Sequence, residues 1–291
     1  MTDRLLVWAF RAAWAVMPRI PDDTARRLAR LVADFAWLRN GKGVRQLQRN
    51  LGRVVLADPQ TVRDLTREAL RKYADYWRTL FQLSGWPLAD ITGRVVFHHI
   101  ERVEQVLASG RGAVIASTHS GNWDIAGIAV AQHFKGVSTV AERLKPEALF
   151  EAFIAHRAPY GLEIFPHRGG ARPAFDMLKE RAEQGRLVAL VSDRDLSRRG
   201  IEVDFFDGRA RMAAGPAALA VATGAALIPC AMWVDGDTVH VLAHEPLTVP
   251  EGIDEVVPYL TQRLADVYAR DIALHPTDWH MLQPVWLDDL R

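Results

Sequence analysis

His119 and Asp124 are the residues whose types and spacing most readily suggest chemistry. They bound the turn His119-Ser120-Gly121-Asn122-Trp123-Asp124, which follows the apolar run Ala113-Val114-Ile115-Ala116 and precedes an apolar helical pattern from Ile125 to Val130. A buried strand therefore ends where a histidine and an aspartate share a strand-to-helix turn. An imidazole in that position suits a general base. Asp124 is near enough in sequence to fold back, accept a hydrogen bond from the second ring nitrogen and fix its tautomer. Ser120 and Asn122 are candidate substrate contacts, and the backbone amides around Ser120-Gly121-Asn122 are placed to meet an oxyanion. The spacing alone is common by chance; its position at a strand end gives it weight. No G-x-S-x-G elbow is present, so the expected chemistry is direct deprotonation of a bound acceptor, in single-step transfer without an acyl-enzyme.

The elements that must position this turn are legible around it. Residues 1–90 read as helices, over Arg4–Met17, Asp23–Arg39, Val44–Leu56 and Thr61–Leu83. From Val95 strands alternate with helices. Strand candidates are Val95–His98, Ala113–Ser117, Val137–Ala141, Leu162–Phe165, Leu187–Ser192, Glu202–Phe206, Ala226–Trp233 and Val239–His244. Helix candidates are Ile100–Ser109, Trp123–Phe134, Pro146–Tyr160, Pro173–Gln184 and Ala213–Thr223. The alternation predicts an α/β sheet with helices on its faces. With no repeat and no low-complexity linker, the expectation is one domain over 1–291, with a helical part at 1–90 and an α/β catalytic core at 91–291.

Composition narrows the partners. The chain of 291 residues is 49% hydrophobic and 24% charged, which excludes disorder. A single cysteine, Cys230, lies in an apolar strand pattern and cannot form an internal disulfide, which suits a reducing, cytosolic compartment. The net charge of +1 conceals 11 Lys/Arg against 4 Asp/Glu in residues 1–53. Together with Trp8 and Trp14 this predicts an anionic surface as partner. Zinc-finger, RRM and KH signatures are absent, which disfavours nucleic acid. The most apolar stretch, Leu5 to Met17, contains Arg11 and is too short to span a bilayer, and it lacks a signal-peptide pattern. The expectation is a membrane-docking amphipathic helix, with a helix that simply packs on the protein as the alternative. Arg45, Arg49 and Arg53 share one helix face, either solvated or turned to lipid phosphate.

Other constellations read less specifically. Arg157 falls on a stripe with Phe150, Phe153 and Ile154, so it needs an anionic partner, either a core carboxylate or a ligand phosphate. Asp193-Arg194-Asp195 ends a strand and reads as acceptor or phosphate binding, or as a structural turn. As a metal-binding D-x-D it would suggest a nucleotide-sugar glycosyltransferase, but two Rossmann halves and a Gly-rich loop are missing. Glu202 alternates with Ile201 and Val203 and points either into the cleft or to a basic neighbour. His98, His99, His156 and His167 lack metal-ligand spacing, and no metal site is expected.

Taken in order, these blocks resemble a known family. His119-Ser120-Gly121-Asn122-Trp123-Asp124 is similar to the H-x4-D block of the glycerolipid acyltransferases. Arg157-x3-Gly161, Asp193-Arg194-Asp195, Gly200 to Phe206, Gly215 to Pro229 and His275-Pro276-x2-Trp279 resemble the bacterial branch that includes the lipid A biosynthesis acyltransferases. Lipid A enzymes commonly carry Glu at the second dyad position and a Pro-Asp-Gln run in the third block. Asp124 and Ser192-Asp193-Arg194-Asp195 depart from this, which favours the phosphatidylinositol mannoside acyltransferases of actinobacteria. The resemblance implies a central mixed β-sheet flanked by helices and a peripheral enzyme on the cytoplasmic face of the plasma membrane. It implies an acyl-CoA donor, no cofactor, and a glycolipid acceptor whose mannose hydroxyl is acylated. Catalysis would fall to His119 and Asp124, and substrate binding to Ser120, Asn122, Arg157, Arg194 and Glu202. Other glycolipid or lysophospholipid acyltransferases, the metal-dependent glycosyltransferase and a non-catalytic lipid-binding protein are the alternatives.

Overall fold

The computed structural model describes residues 3–195 and 199–290. Its centre is β2 (Ala113–Ser117), buried at every position because its five residues are small or apolar. β2 pairs in parallel with β5 (Leu187–Val191) on one side and β8 (Ala226–Asp235) on the other. β3 (Val137–Ala141) and β4 (Leu162–Pro166) extend the parallel part beyond β5. Beyond β8, β9 (Thr238–Ala243) returns antiparallel, and β1 (Val95–His98) pairs parallel with it, giving a seven-stranded mixed sheet in the order β1-β9-β8-β2-β5-β3-β4.

Helices cover both faces, as parallel pairing requires. On one face α6 (Glu101–Ala108) and α7 (Trp123–His133) bury Val103, Val130 and Ala131 against Ile115 and Cys230. On the other, α9 (Ala174–Glu183), α10 (Gly215–Thr223) and α11 (Val256–Leu274) bury Leu178, Leu219, Leu264 and Tyr268 against Val114, Val188 and Leu227. The expected α/β class, with helices around a mixed sheet, is what is observed.

Four helices of 13 to 24 residues come first in the chain: α1 (Asp3–Val16), α2 (Asp22–Arg39), α3 (Lys42–Val54) and α4 (Pro59–Gln82). Asp58 caps α4 by accepting from the amides of Gln60 and Thr61. α4 crosses beneath the His119 turn, while α5 (Leu88–Thr92) and α8 (Glu147–Arg157) complete the helical set. Among the described residues no helix is long and apolar enough to cross a membrane.

Four features differ from the sequence expectation, the first being the short α5 after Pro87. α11 was not anticipated, although Leu260, Leu264, Val267 and Tyr268 follow helical spacing. β7 (Gly208–Met212) was also missed: its alternation of Ala210 and Met212 with Arg209 and Arg211 is short and carries one large apolar side chain, and it pairs only with β6 (Ile201–Phe205), as a separate hairpin. Trp14, expected at a headgroup boundary, instead packs on Phe153 and His156. Trp8 on the same helix remains 68% exposed.

Candidate active site

His119 lies two residues beyond the end of β2, and Asp193 lies two beyond the end of β5. Because Ser117 is in register with Val191, parallel pairing sets the two side chains opposite each other. The amide of Ser192 donates to the carbonyl of Ser117 at 2.9 Å, and that of Asp195 to Arg211 on β7 at 2.9 Å. The segment carrying Asp193 is thus fixed at both sides. His119 Nδ1 is 2.6 Å from Asp193 Oδ1, and the His119 amide donates to Oδ2 at 3.0 Å. The Trp279 indole donates to Oδ2 at 2.9 Å.

Burial raises the Asp193 carboxyl, but the charge and hydrogen bonds of His119, with the Trp279 indole, outweigh it and hold the group below its ordinary value. An ionised, fully buried carboxylate on Nδ1 stabilises the Nδ1–H tautomer and leaves Nε2 as the basic nitrogen. The imidazole side chain is 34% exposed, whereas Asp193 is 0% exposed.

Asp124 does not take the position foreseen for it. It sits in the first turn of α7 and turns away to Arg157 on α8. Arg157 Nε donates to Oδ1 at 2.5 Å and Nη2 to Oδ2 at 3.0 Å, and Tyr76 of α4 donates to Oδ2 at 2.7 Å. Burial would raise this carboxyl too; the Arg157 charge, then the bonds from Arg157 and Tyr76, bring it below the usual value. Asp193 therefore holds the imidazole, and Asp124 is the core carboxylate that Arg157 required. Asp193 thus takes the role that sequence proximity suggested for Asp124.

Ser120 and Asn122 are buried and engaged internally. Thr118 Oγ1 donates to Ser120 Oγ at 2.8 Å. Asn122 caps α7 by accepting from the Ile125 amide at 3.1 Å, and donates to Thr79 Oγ1 at 2.7 Å. The Gly121 amide donates to the Asp278 carbonyl at 2.9 Å, so it is not turned to an oxyanion. These three residues shape the turn; neither Ser120 nor Asn122 lines the cavity in front of His119. Glu202 is on the exposed face of the β6–β7 hairpin and accepts from Arg211 at 2.8 Å, which is the basic-neighbour alternative.

The ring of His119 faces a cavity of about 730 Å³. Trp123, Asp124, Arg157, Arg194 and Asp195 also line it. Ile115, Gly127, Val130, Val137, Ala189 and Cys230 line its apolar interior. Arg194, foreseen as a ligand contact, presents Nη1 without a hydrogen-bond partner among the described residues. Burial pushes the Cys230 thiol up to about 12, so it packs as a small apolar group and is no nucleophile. A base at the mouth of an apolar cavity of this size suits a reactant that is polar at its reacting end and hydrocarbon behind it.

The comparisons with known proteins agree with this architecture. Residues 1–288 match the family described as bacterial lipid A biosynthesis acyltransferase. The chain is 43% identical over 282 residues to the phosphatidylinositol mannoside acyltransferase of Mycolicibacterium smegmatis, covering 97% of this chain and 91% of that one. It is also 43% identical over 287 residues to the protein of the same name from Mycobacterium tuberculosis strain H37Rv, covering 97% and 89%. The chain belongs to the bacterial lipid A biosynthesis acyltransferase family and is an acyltransferase.

Proposed function

We propose that this acyltransferase moves a long-chain acyl group, of palmitoyl type, from acyl-CoA to a sugar hydroxyl of a glycolipid, most specifically a mannose of a phosphatidylinositol mannoside. The observation that carries the reading is the His119–Asp193 pair at the mouth of the apolar cavity. In this mechanism the acyl chain lies in the cavity with its thioester carbonyl near His119. Nε2 takes the proton of the acceptor hydroxyl as its oxygen attacks the carbonyl carbon. Asp193 stabilises the imidazolium and keeps its orientation. The tetrahedral intermediate then collapses, the carbon–sulfur bond breaks, and the departing thiolate takes the proton as free CoA. The Arg194 guanidinium, on a residue that lines the cavity, is suited to the negative charge of the donor or of the oxyanion. Arg157 is already neutralised by Asp124 and acts as a wall.

The names of the relatives, phosphatidylinositol mannoside acyltransferases, support the acceptor, and the apolar cavity supports a fatty acyl donor. Asp193 accepts hydrogen bonds from His119 and Trp279 and is wholly buried, which argues against its use as a metal ligand in a glycosyltransferase. A peripheral location on the cytoplasmic face of the plasma membrane is part of the proposal. It is supported by α2, where Leu31, Val32, Phe35 and Leu38 are between 62% and 67% exposed among Arg27, Arg30 and Arg39. Residues 1–90 would be the membrane-facing part and 91–291 the catalytic core, although α4 also contributes Tyr76 to the site.

The test is transfer from labelled palmitoyl-CoA, or from the matching acyl carrier protein thioester, to a panel of mannosylated and unmannosylated phosphoinositides and lipid A precursors. An ester formed only with the mannosides and the CoA donor is expected. Transfer to lipid A precursors alone, or only from the carrier protein, would overturn the assignment.

A further inference from the structure

We propose that Trp279 is a positioning residue for the catalytic pair, carried on a C-terminal strap, Asp278-Trp279-His280, that fixes Asp193 relative to His119. The proposal rests on the reading of His119 as the base. Asp193 Oδ1 faces His119 Nδ1, while Oδ2 accepts from the His119 amide and the Trp279 indole. Two of these three partners belong to His119 itself and would follow any movement of its turn. The indole is the donor contributed from elsewhere in the chain. It therefore ties the carboxylate plane to a third point and opposes rotation about the Cβ–Cγ bond.

The strap carrying this donor is laced to the same turn. The Gly121 amide donates to the Asp278 carbonyl at 2.9 Å, and the His280 amide donates to the His119 carbonyl at 2.8 Å. The His280 ring nitrogen Nε2 faces the Gly121 carbonyl at 3.0 Å, so it carries the hydrogen. Burial pulls this imidazole down to about 3, so it remains neutral and adds no charge beside His119. Gly121 itself has φ +62, and a Cβ there would stand 3.0 Å from the Met232 carbonyl carbon, so glycine lets the turn lie close against β8. The strap is anchored in turn: Asp278 accepts from Lys72 Nζ at 2.6 Å and from the Val234 amide at 2.9 Å.

Packing alone does not explain this tryptophan. Its ring is fully buried between Phe205 and Trp286, and a phenylalanine would supply much of the same apolar surface without a donor. The indole N–H in such a place must be satisfied, and it is satisfied on the catalytic carboxylate rather than on a backbone carbonyl, as Trp286 is on Phe205. A donor aimed at a charged acceptor gives a stronger and more directional restraint than a neutral pair.

The experiment compares Trp279→Phe, Asp193→Ala and the double variant by acyl-transfer kinetics, thermal melting and spectra of protein labelled with 15N at the indole nitrogens. Trp279→Phe is expected to lower kcat by about 10- to 100-fold, the loss of one hydrogen bond to a charged group, with KM for palmitoyl-CoA nearly unchanged. In the Asp193→Ala background the same change should alter kcat less than about twofold, since the partner is already gone. The Trp279 indole resonance, absent from Trp279→Phe, should shift in folded Asp193→Ala. An undiminished kcat in Trp279→Phe, or an equal loss in both backgrounds, overturns the proposal. If Trp279→Phe does not fold, an indole spectrum of Asp193→Ala identical to that of the parent protein overturns it instead. His119→Ala in the same assay separates the two levels. Full activity there removes the base reading, while the indole spectra still report whether the contact exists.

Discussion

The pairing of Asp124 with Arg157, and not with His119, gives a sharp prediction for Asp124→Asn. Asp124 is 4% exposed and Arg157 16% exposed at their side chains, so the pair lies beyond effective solvent screening. Replacing the carboxylate leaves the guanidinium buried without its charge partner, and breaking such a pair from one side costs about 3–5 kcal/mol. Arg157 stacks over Phe153 with 5.2 Å from its guanidinium carbon to the ring centroid, which holds it in place and limits its escape to water. For a chain of this size that corresponds to a fall in Tm on the order of 10 °C. The carboxyl is held below its ordinary value in the folded state, so its contribution is complete above that value and is lost as pH falls through the depressed one. The parent should thus lose stability more steeply than Asp124→Asn on acidification below about pH 4. Thermal melts across pH, with transfer rates corrected for folded fraction, provide the assay. An Asp124→Asn protein that melts like its parent yet loses as much activity as His119→Ala would refute the assignment. It would return Asp124 to the imidazole.

Other outcomes follow from the same geometry. Asp193→Asn should lower kcat by about three to four orders of magnitude, because an amide on Nδ1 favours the wrong tautomer; steady-state kinetics at saturating donor checks this. Ala189→Phe fills the apolar interior of the cavity and should shift the ratio of kcat/KM for long against short acyl-CoA by about tenfold toward the short chain, as competition between donors would show. Leu31→Glu with Phe35→Glu should reduce sedimentation with anionic vesicles while leaving Tm within a few degrees, since both side chains are mostly solvated in the free protein. Unchanged vesicle binding would remove α2 from the docking surface.

Local pattern made much of this architecture legible. β2 and α7 flank the His119 turn as their apolar runs require, and Arg157 on an apolar stripe does have an anionic partner. What sequence could not convey is which strands lie side by side. Asp193 is 74 positions from His119, and only the register of β2 on β5 brings them together. Asp124 is close in sequence, but helical geometry turns it toward α8 and α4, away from the imidazole. Asn122 is a polar residue in a strand-to-helix turn, a position shared by helix caps and ligand contacts, and its side chain serves the cap. Trp279 stood within a block resembling the family, yet its contact with Asp193 depends on how the chain beyond α11 returns across the sheet. α11 was the avoidable omission, since its buried positions keep helical spacing throughout.

In the proposed mechanism, Nε2 of His119 takes the acceptor's proton beside an acyl-filled cavity. The most direct test of this step is single-turnover transfer by His119→Gln with palmitoyl-CoA bound beforehand and the mannoside added last. A rate lower by about two to four orders of magnitude is expected, with the affinity for palmitoyl-CoA unchanged. Transfer at the parental rate from a fully loaded His119→Gln protein would contradict it.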